Sequence, residues 1–328
     1  MTPAIRRLSL LALACLAFAA AGCAVNPVTG KHELTLVTPQ QEAALGREGY
    51  AVVAAEYGVY DDAAVAAYVD SVGRKVARAS ELPDLPWRFT VLDDAVVNAF
   101  AMPGGYIYVT RGLLAHMQSE SQLAGVLGHE IGHVTARHSA KQITQQQLAG
   151  LGLGLVSAVS PAFRRYSSTA EQALGLLMLK YSRDDETQAD ELGVRYSAQS
   201  GYDPREIPAT YRTLQRISAA AGQSLPGYMS THPDPGQREE RTTALAAKAA
   251  EGRVNMVVRQ RGYLEHVRNL VYGENPRYGW FEGTHFYHPV LGLEMTFPSG
   301  WQASHTHSAL TAAAANKSGM MQMTLARD

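Results

Sequence analysis

The sequence has little cysteine and no excess of charge of either sign, and both features limit what the protein can be. It holds two Cys in 328 residues, and its 29 Lys and Arg balance 30 Asp and Glu without a run of five like charges. This balance argues against a nucleic-acid-binding protein. With 46% hydrophobic residues, the chain is also too apolar to be disordered. We therefore predict a globular body of one large or two modest domains.

The sequence also lacks an apolar run long enough to cross a bilayer, which needs about 20 residues. The N-terminal run, residues 8–21, is 14 residues long and follows two Arg; its last two residues form the sequence Ala-Ala-Gly-Cys23 with the two that follow. This pattern predicts a lipoprotein-type signal peptide over residues 1–22, with Cys23 as the lipid-modified first residue. The alternative is an ordinary secretory signal. Since Cys15 would leave with the signal, the mature chain could form no internal disulfide, which favours acylation of Cys23.

Hydrophobic periodicity and turn residues predict a mixture of helices and strands. We expect helices over residues 38–57 and 61–80, and short strands over 87–92, 95–102 and 106–109. A Gly-rich apolar stretch, residues 148–159, is predicted to be a buried or flexible helical insert rather than a membrane span. Residues 242–272 are predicted to be helical, and β-strands are expected after them.

The most informative segment is HEIGH, residues 129–133. Apolar residues at helical spacing place it inside a helix, so His129 and His133 lie about 40° apart around the axis and one turn apart. Two imidazoles so placed can bind one Zn²⁺, and Glu130 can act as base toward a water at the metal. Only about 0.02 matches to this pattern are expected by chance from the composition.

A zinc site that keeps one position open for water needs a third protein ligand. Glu186 is the best candidate, because it lies on the apolar stripe of a predicted helix that begins after Ser182. Asp190, one turn later, could accept the N–H of a ligating His. The alternative is that these acids form a solvated face. On a continuing helix His138 would point away from His129, so we expect it at the surface or behind the ligands.

Together these segments resemble the gluzincins, and more narrowly the CAAX prenyl protease and beta-barrel assembly-enhancing protease family of zinc metallopeptidases. The similarity extends over about residues 26–241 and includes NPVTG (26–30), NAFAMPGGYIYVTRGLL (98–114), LGHEIGHVTARH (127–138), SRDDETQADELG (182–193) and THPDP (231–235). It implies an α+β fold, in which residues 23–250 form a mainly helical zincin-type metallopeptidase domain with a small mixed sheet. Residues 251–328 would form a helix and a β-rich C-terminal module, which ends within strand-like sequence and so suggests an abbreviated form.

The resemblance also implies roles for individual residues. One Zn²⁺ per chain would be bound by His129, His133 and Glu186, with Glu130 as the catalytic base. Further implied positions are His232, which would cap the metal or stabilise the oxyanion, Arg238 in the same neighbourhood, and Asn98 and Ala99 on an edge strand to which an extended substrate adds.

The function implied is that of a zinc endopeptidase of the bacterial cell envelope. Its partners would be extended or misfolded envelope polypeptides and, through the lipid on Cys23, the membrane, with no nucleic acid. Ala24 after Cys23 favours the periplasmic side of the outer membrane by family analogy. A noncatalytic chaperone or scaffold lipoprotein with a structural zinc is one alternative, against which the intact Glu130 argues. A zinc hydrolase of a non-peptide bond is another, which Asn98 and Ala99 disfavour.

Overall fold

The computed structural model describes residues 23–154, 175, 180–220, 232, 235–307 and 309–324. The predicted signal peptide, residues 1–22, and the second part of the predicted insert, residues 155–159, lie outside the described residues. Within the described ranges, none of the helices combines the length and the apolar character that a bilayer crossing requires.

Helices and small antiparallel or mixed sheets make up the described chain, and the α+β prediction is confirmed. The helices are α1 Pro39–Tyr57, α2 Ala63–Ala77, α3 Arg111–His116, α4 Glu120–Thr135, α5 His138–Gly154, α6 Arg183–Gln199, α7 Ile207–Ala220, α8 Pro235–Ala250 and α9 Gln260–Val267. The strands are β1 Cys23–Val25, β2 His32–Leu34, β3 Arg88–Leu92, β4 Ala99–Met102, β5 Tyr106–Thr110, β6 Trp280–Glu282, β7 His285–His288, β8 Leu293–Thr296, β9 Trp301–His305, β10 Ala309–Ala314 and β11 Met320–Thr324.

A three-stranded sheet and the helix α4 form the centre of the molecule. The strand order is β3-β5-β4, with β3 parallel and β4 antiparallel to β5, so that β4 lies at an edge. The apolar faces of α2 and α4 share one core with this sheet, which includes Val69, Ile107, Leu123 and Ile131. Because both faces of the central helix are buried, the polar residues on it must be satisfied by other protein groups or by a ligand.

Small residues let α4 and α6 approach each other closely. A Cβ on Gly193 would lie 2.9 Å from the backbone nitrogen of His129, and one on Gly128 would lie 3.0 Å from the carbonyl oxygen of Gly193. Gly132 faces Leu192 and Ala189 in the same way. Side chains at these positions would push the helices apart, so the glycines hold the HEIGH segment against the helix that carries the acidic residues.

The predicted helix over residues 242–272 is wrong in its middle. The chain leaves α8 after Ala250 and enters α9 only at Gln260. Gly252, Asn255 and Arg259 between them have φ values of 70°, 58° and 49°. This left-handed backbone is disfavoured for most residues and cannot continue a right-handed helix, which explains the break.

The segment after the break packs into the same core as the helices before it. Tyr263 is fully buried and donates a hydrogen bond to the carbonyl oxygen of Leu114 at 2.6 Å. Arg111, also buried, pairs with Asp93 at 2.6 Å and donates to the carbonyl oxygens of Val271 and Gly273 at 2.7 and 2.5 Å. Two three-stranded antiparallel sheets, β6-β7-β8 and β9-β10-β11, then close around the apolar side chains of Phe286, Phe297, Leu310 and Ala312.

Candidate metal centre

Four buried side chains from separate parts of the sequence converge beside α4. His129 and His133 come from α4, Glu186 comes from the first turn of α6, and His232 precedes α8. One donor atom from each of the four lies within 4.8 Å of the donors of the other three. The structure therefore brings together all three ligands that were predicted from the sequence, together with the histidine that was expected to lie near the metal.

The distances within this cluster suit a divalent metal ion. The Nε2 atoms of His129 and His133 face each other at 3.0 Å, and each lies 3.5 Å from a carboxylate oxygen of Glu186. The Nδ1 atom of His232 lies 2.8 Å from Glu186 Oε1 and 3.3 Å from His129 Nε2. Imidazole nitrogens and a carboxylate that share one small buried volume are a donor set that Zn²⁺ and similar cations prefer.

A network of charged groups holds His129 from behind. Its Nδ1 donates to Asp190 Oδ1 at 3.1 Å, as the sequence analysis suggested for a ligating histidine. Asp190 also accepts from Arg238 at 2.6 Å, from Arg241 at 2.8 Å and from the hydroxyl of Tyr211 at 2.8 Å. Arg238 in turn places its Nη1 2.8 Å from Glu186 Oε2. One guanidinium therefore joins the carboxylate that orients His129 to the carboxylate beside both histidines.

His133 is supported differently, by a histidine that was expected either at the surface or behind the ligands. The helix does not continue past the motif, because α4 ends at Thr135 and Arg137 has a φ of 58°. The turn directs His138 back toward the site, where its ring is buried and its Nδ1 lies 2.9 Å from Nδ1 of His133. Tyr181 stacks on the other side of the His133 ring, with 3.9 Å between ring centroids.

Glu130 has an unusual environment for a charged residue. It is fully buried, and neither carboxylate oxygen has a hydrogen-bond partner among the described residues. Nε2 of His232 lies 3.6 Å from its Oε1. A buried acceptor without a donor is costly, and such a group in a folded protein is usually matched by a water or ligand. The predicted base therefore has its proton-accepting atoms free beside the donor cluster.

Burial and nearby charges divide the acids of the site into two kinds. Burial raises the pKa of Glu130, and the attraction of His232 and His129 offsets this only in part. Burial also acts to raise the pKa values of Glu186 and Asp190, but neighbouring charges outweigh it and hold both values well below the usual range. These charges are chiefly His232 and Arg238 for Glu186, and Arg238 for Asp190. Glu186 and Asp190 are thus carboxylates at neutral pH, while Glu130 is suited to exchange a proton.

The histidines of the site also differ in the direction of their pKa shifts. Burial and Arg238 act to lower the pKa of His129, but its hydrogen bonds to Asp190 and Glu186 outweigh them and raise it to about 9. Burial lowers the pKa of both His133 and His138. Metal binding near neutral pH must therefore displace a proton from His129, whereas His133 already offers a lone pair.

The structure places Asn98 and Ala99 at the edge of the central sheet. Ala99 begins β4, which pairs only with β5 among the described strands, and α4 packs beside it. Asn98 is buried, and its side-chain Oδ1 has no hydrogen-bond partner among the described groups. An edge strand that packs against the helix of His129 and His133 is where an extended peptide could add its own backbone hydrogen bonds.

Two aromatic residues of the site were missed from the sequence. Tyr181 immediately precedes the cap of α6, and Tyr211 lies on α7, 21 residues after its partner Asp190. Neither belongs to a spacing pattern with the HEIGH segment, so no local signal could have indicated them. Cys23 lies at the start of β1, and its side chain is outside what the structure describes.

Comparison with known proteins agrees with this geometry. The sequence profile of peptidase family M48 matches residues 63–246. A mitochondrial metalloendopeptidase OMA1 from Arabidopsis thaliana is 38% identical over 171 residues, which are 52% of this chain and 33% of that protein. The putative beta-barrel assembly-enhancing protease of Vibrio cholerae is 29% identical over 233 residues, covering 69% and 47% of the two chains. The beta-barrel assembly-enhancing protease of Escherichia coli is 30% identical over 186 residues, covering 54% and 38%.

The chain spans between a third and a half of the length of these three relatives. The profile match is nevertheless more than half of the present chain, and it contains both histidines of the HEIGH segment together with Glu186. Sequence similarity and the convergence of these side chains therefore lead to the same assignment: the chain belongs to peptidase family M48.

Proposed function

We propose that this protein is a zinc-dependent endopeptidase whose catalytic base is Glu130. The observation that carries the proposal is a buried donor cluster beside a buried carboxylate, Glu130, whose two oxygens accept no hydrogen bond from any group that the structure describes. A structural metal site needs ligands but no base, so the position of Glu130 favours catalysis over a scaffold role. The names of the similar proteins, all proteases or endopeptidases, support the same reaction class.

His129, His133 and Glu186 would hold one Zn²⁺ per chain. When bound there, the ion would polarise a peptide carbonyl and lower the pKa of a water molecule. Asp190 fixes the Nδ1–H tautomer of His129 and so keeps its Nε2 lone pair directed into the cluster. Arg238 holds the pKa of Asp190 low, and His232 together with Arg238 does the same for Glu186, so both acids are ionised.

Glu130 performs the proton transfers of the reaction. It accepts a proton from the water that attacks the scissile carbonyl and then delivers this proton to the departing amine. A raised pKa suits both steps, since the base must take up the proton and release it within one turnover. The substrate would lie along β4 as an added antiparallel strand, held by its backbone groups at Asn98 and Ala99.

The cellular setting proposed is the bacterial envelope. Two similar bacterial proteins carry the name beta-barrel assembly-enhancing protease, which supports envelope polypeptides in extended or misfolded form as substrates. The lipoprotein-type signal sequence that ends before Cys23 supports attachment to the periplasmic side of the outer membrane.

Removal and return of the metal test the reaction class. Treatment with a chelator should abolish cleavage of an unfolded, fluorescently labelled polypeptide, and one equivalent of Zn²⁺ per chain should restore it. Metal analysis of the restored protein should then give a stoichiometry near one. A protein that binds zinc but cleaves none of a broad set of unfolded polypeptides would contradict the proposal and favour a scaffold.

His232 is expected to restrict access to the site. Its Nδ1 already lies among the donor atoms, so His232→Ala should leave three ligands and retain zinc. We expect kcat to rise about fivefold. This rise corresponds to a form with His232 in the site that is favoured by about 1 kcal/mol over the form in which the site is open. The measurement is kcat together with zinc content. A lower kcat with zinc retained would assign His232 to oxyanion stabilisation, and an unchanged kcat would contradict both roles.

Lipid attachment is tested separately from catalysis. Mass spectrometry of the mature N-terminus should find a diacylglyceryl group on Cys23, and Cys23→Ser should move the protein from the membrane fraction to the soluble fraction. Cleavage activity in detergent should not change, because the site lies on other elements. An unmodified N-terminus that begins elsewhere would contradict the lipid anchor.

A further inference from the structure

Behind His133 lies a pair of polar side chains that neither the metal nor the proton transfers require. His138 at the start of α5 contacts His133, and Gln188 on α6 contacts His138. We propose that His138 is a positioning residue: it accepts the Nδ1 proton of His133 and, with Gln188, fixes the tautomer in which His133 can bind the metal. The inference rests on the proposed function, since it concerns the same metal site.

The backbone is shaped to bring His138 to this place. On an uninterrupted helix the residue would lie on the far side from His129, but the left-handed Arg137 turns the chain after α4. Arg137 is held there by a 2.8 Å hydrogen bond to the carbonyl oxygen of Val37 and an ion pair with Glu42. Asn26 donates to the carbonyl oxygen of Ala136 at 3.2 Å. The N-terminal segment therefore supports the turn that directs His138 inward.

The arrangement of protons follows from three contacts. The Nδ1 atoms of His133 and His138 are 2.9 Å apart, so one of them donates and the other accepts. Nε2 of His133 faces His129 and Glu186 in the metal cluster and must keep its lone pair there. The proton of His133 is therefore on Nδ1, and His138 accepts it.

The proton of the second ring, that of His138, has a fixed position as well. Because Nδ1 of His138 is an acceptor, its proton is on Nε2, which lies 3.0 Å from Oε1 of Gln188. The amide oxygen accepts this proton. Both hydrogen bonds therefore point the same way: His133 donates to His138, and His138 donates to Gln188. If His138 donated through Nδ1 instead, the proton of His133 would move to Nε2 and block the metal.

Other polar groups near His138 do not replace Gln188 in this role. Asp185 Oδ1 is 3.8 Å from Nε2 of His138, beyond hydrogen-bond distance, and it pairs with Lys141 at 2.7 Å. Tyr181 presents its ring to both histidines, and its hydroxyl bonds to Ser139 at 3.1 Å. Since His138 is only 1% exposed, bulk water cannot easily supply a substitute acceptor for His133.

A purely structural histidine would give a different result from a positioning one. A ring that only fills space could be replaced by a similar apolar side chain with little effect on the metal. A ring that accepts the Nδ1 proton can be replaced only by another acceptor. His138→Leu and His138→Gln separate these cases, because both remove the imidazole and only glutamine offers an oxygen at comparable reach.

The experiment measures zinc affinity by competition with a chelating dye, together with thermal melting of the metal-free proteins. We expect His138→Leu to bind zinc about 10–100-fold more weakly than wild type, the range typical for loss of a partner of a metal ligand. His138→Gln should recover most of this loss, and Gln188→Met should weaken binding by a smaller factor. The metal-free variants should melt close to metal-free wild type.

Two results would overturn the inference. One is wild-type zinc affinity in His138→Leu, and the other is an equal loss in His138→Leu and His138→Gln. If His138→Leu does not fold, the comparison of His138→Gln with Gln188→Met decides, since only Gln188→Met should then weaken zinc binding. Failure of the wild-type protein itself to bind zinc would contradict the proposed function, whereas wild-type binding that is unchanged in the variants would contradict only the role of His138.

Discussion

A Glu130→Gln protein should fold and bind zinc like the wild type but lose about 10²–10⁴-fold in kcat, the usual cost of removing a general base. The amide has the shape of the carboxylate and fits the same buried space, but it cannot accept a proton from water. Glu130 contributes no atom to the cluster of donors, so metal binding should not depend on it. The measurements are kcat on an unfolded polypeptide and zinc content of the same sample.

The matched control for this change is Glu191→Gln on α6. Glu191 is also a glutamate on a helix of the site, but it is exposed to solvent, so its kcat should stay at the wild-type value. A Glu130→Gln enzyme with full activity would overturn the mechanism. Loss of zinc from the same variant would instead indicate that Glu130 binds the metal.

The second large effect is expected at Glu186. Glu186→Ala should weaken zinc binding by more than about 100-fold, because loss of a mere partner of a ligand already costs 10–100-fold. Two protein ligands would remain beside His232, and the guanidinium of Arg238 would lose the carboxylate that lies 2.8 Å from it. His129→Ala should act in the same direction, and equilibrium competition with a chelator measures both.

Asp184→Ala provides the control within the same helical turn. Asp184 is exposed whereas Glu186 is buried, so the control removes an acid of α6 without changing the donor cluster. Zinc affinity should be unchanged in this variant. Wild-type affinity in Glu186→Ala would contradict its role as a ligand and leave His232 as the third one.

The sequence allowed the local parts of this site to be predicted because helical periodicity determines them. The face shared by His129 and His133 follows from a spacing of four, and the buried stripe of α6 separates Glu186 and Asp190 from the exposed Asp184. The acidic segment could equally have formed a solvated face. Only the packing of α6 on α4 shows which of its acids point inward.

What the sequence did not allow us to predict depends on single backbone angles and on distant partners. The position of His138 follows from the φ of Arg137, which no spacing rule indicates. Tyr211 and Arg238 meet Asp190 across 21 and 48 residues of chain, so only the tertiary fold reveals the contacts. Likewise the loop after α8 arises from left-handed residues within a stretch whose composition favoured a helix.

The buried contacts of Arg111 and Tyr263 mean that the limits of the family match and the limits of the folded unit do not coincide. The match ends at residue 246, yet hydrogen bonds cross that limit. Arg111 donates to Val271 and Gly273, and Tyr263 donates to Leu114. A chain shortened to the matched region would take two carbonyl partners from the guanidinium of Arg111 and leave it Asp93, and Leu114 would lose the hydrogen bond from the buried Tyr263. Sequence similarity to the family is therefore confined to residues 63–246, whereas cooperative unfolding should include the residues up to at least 273.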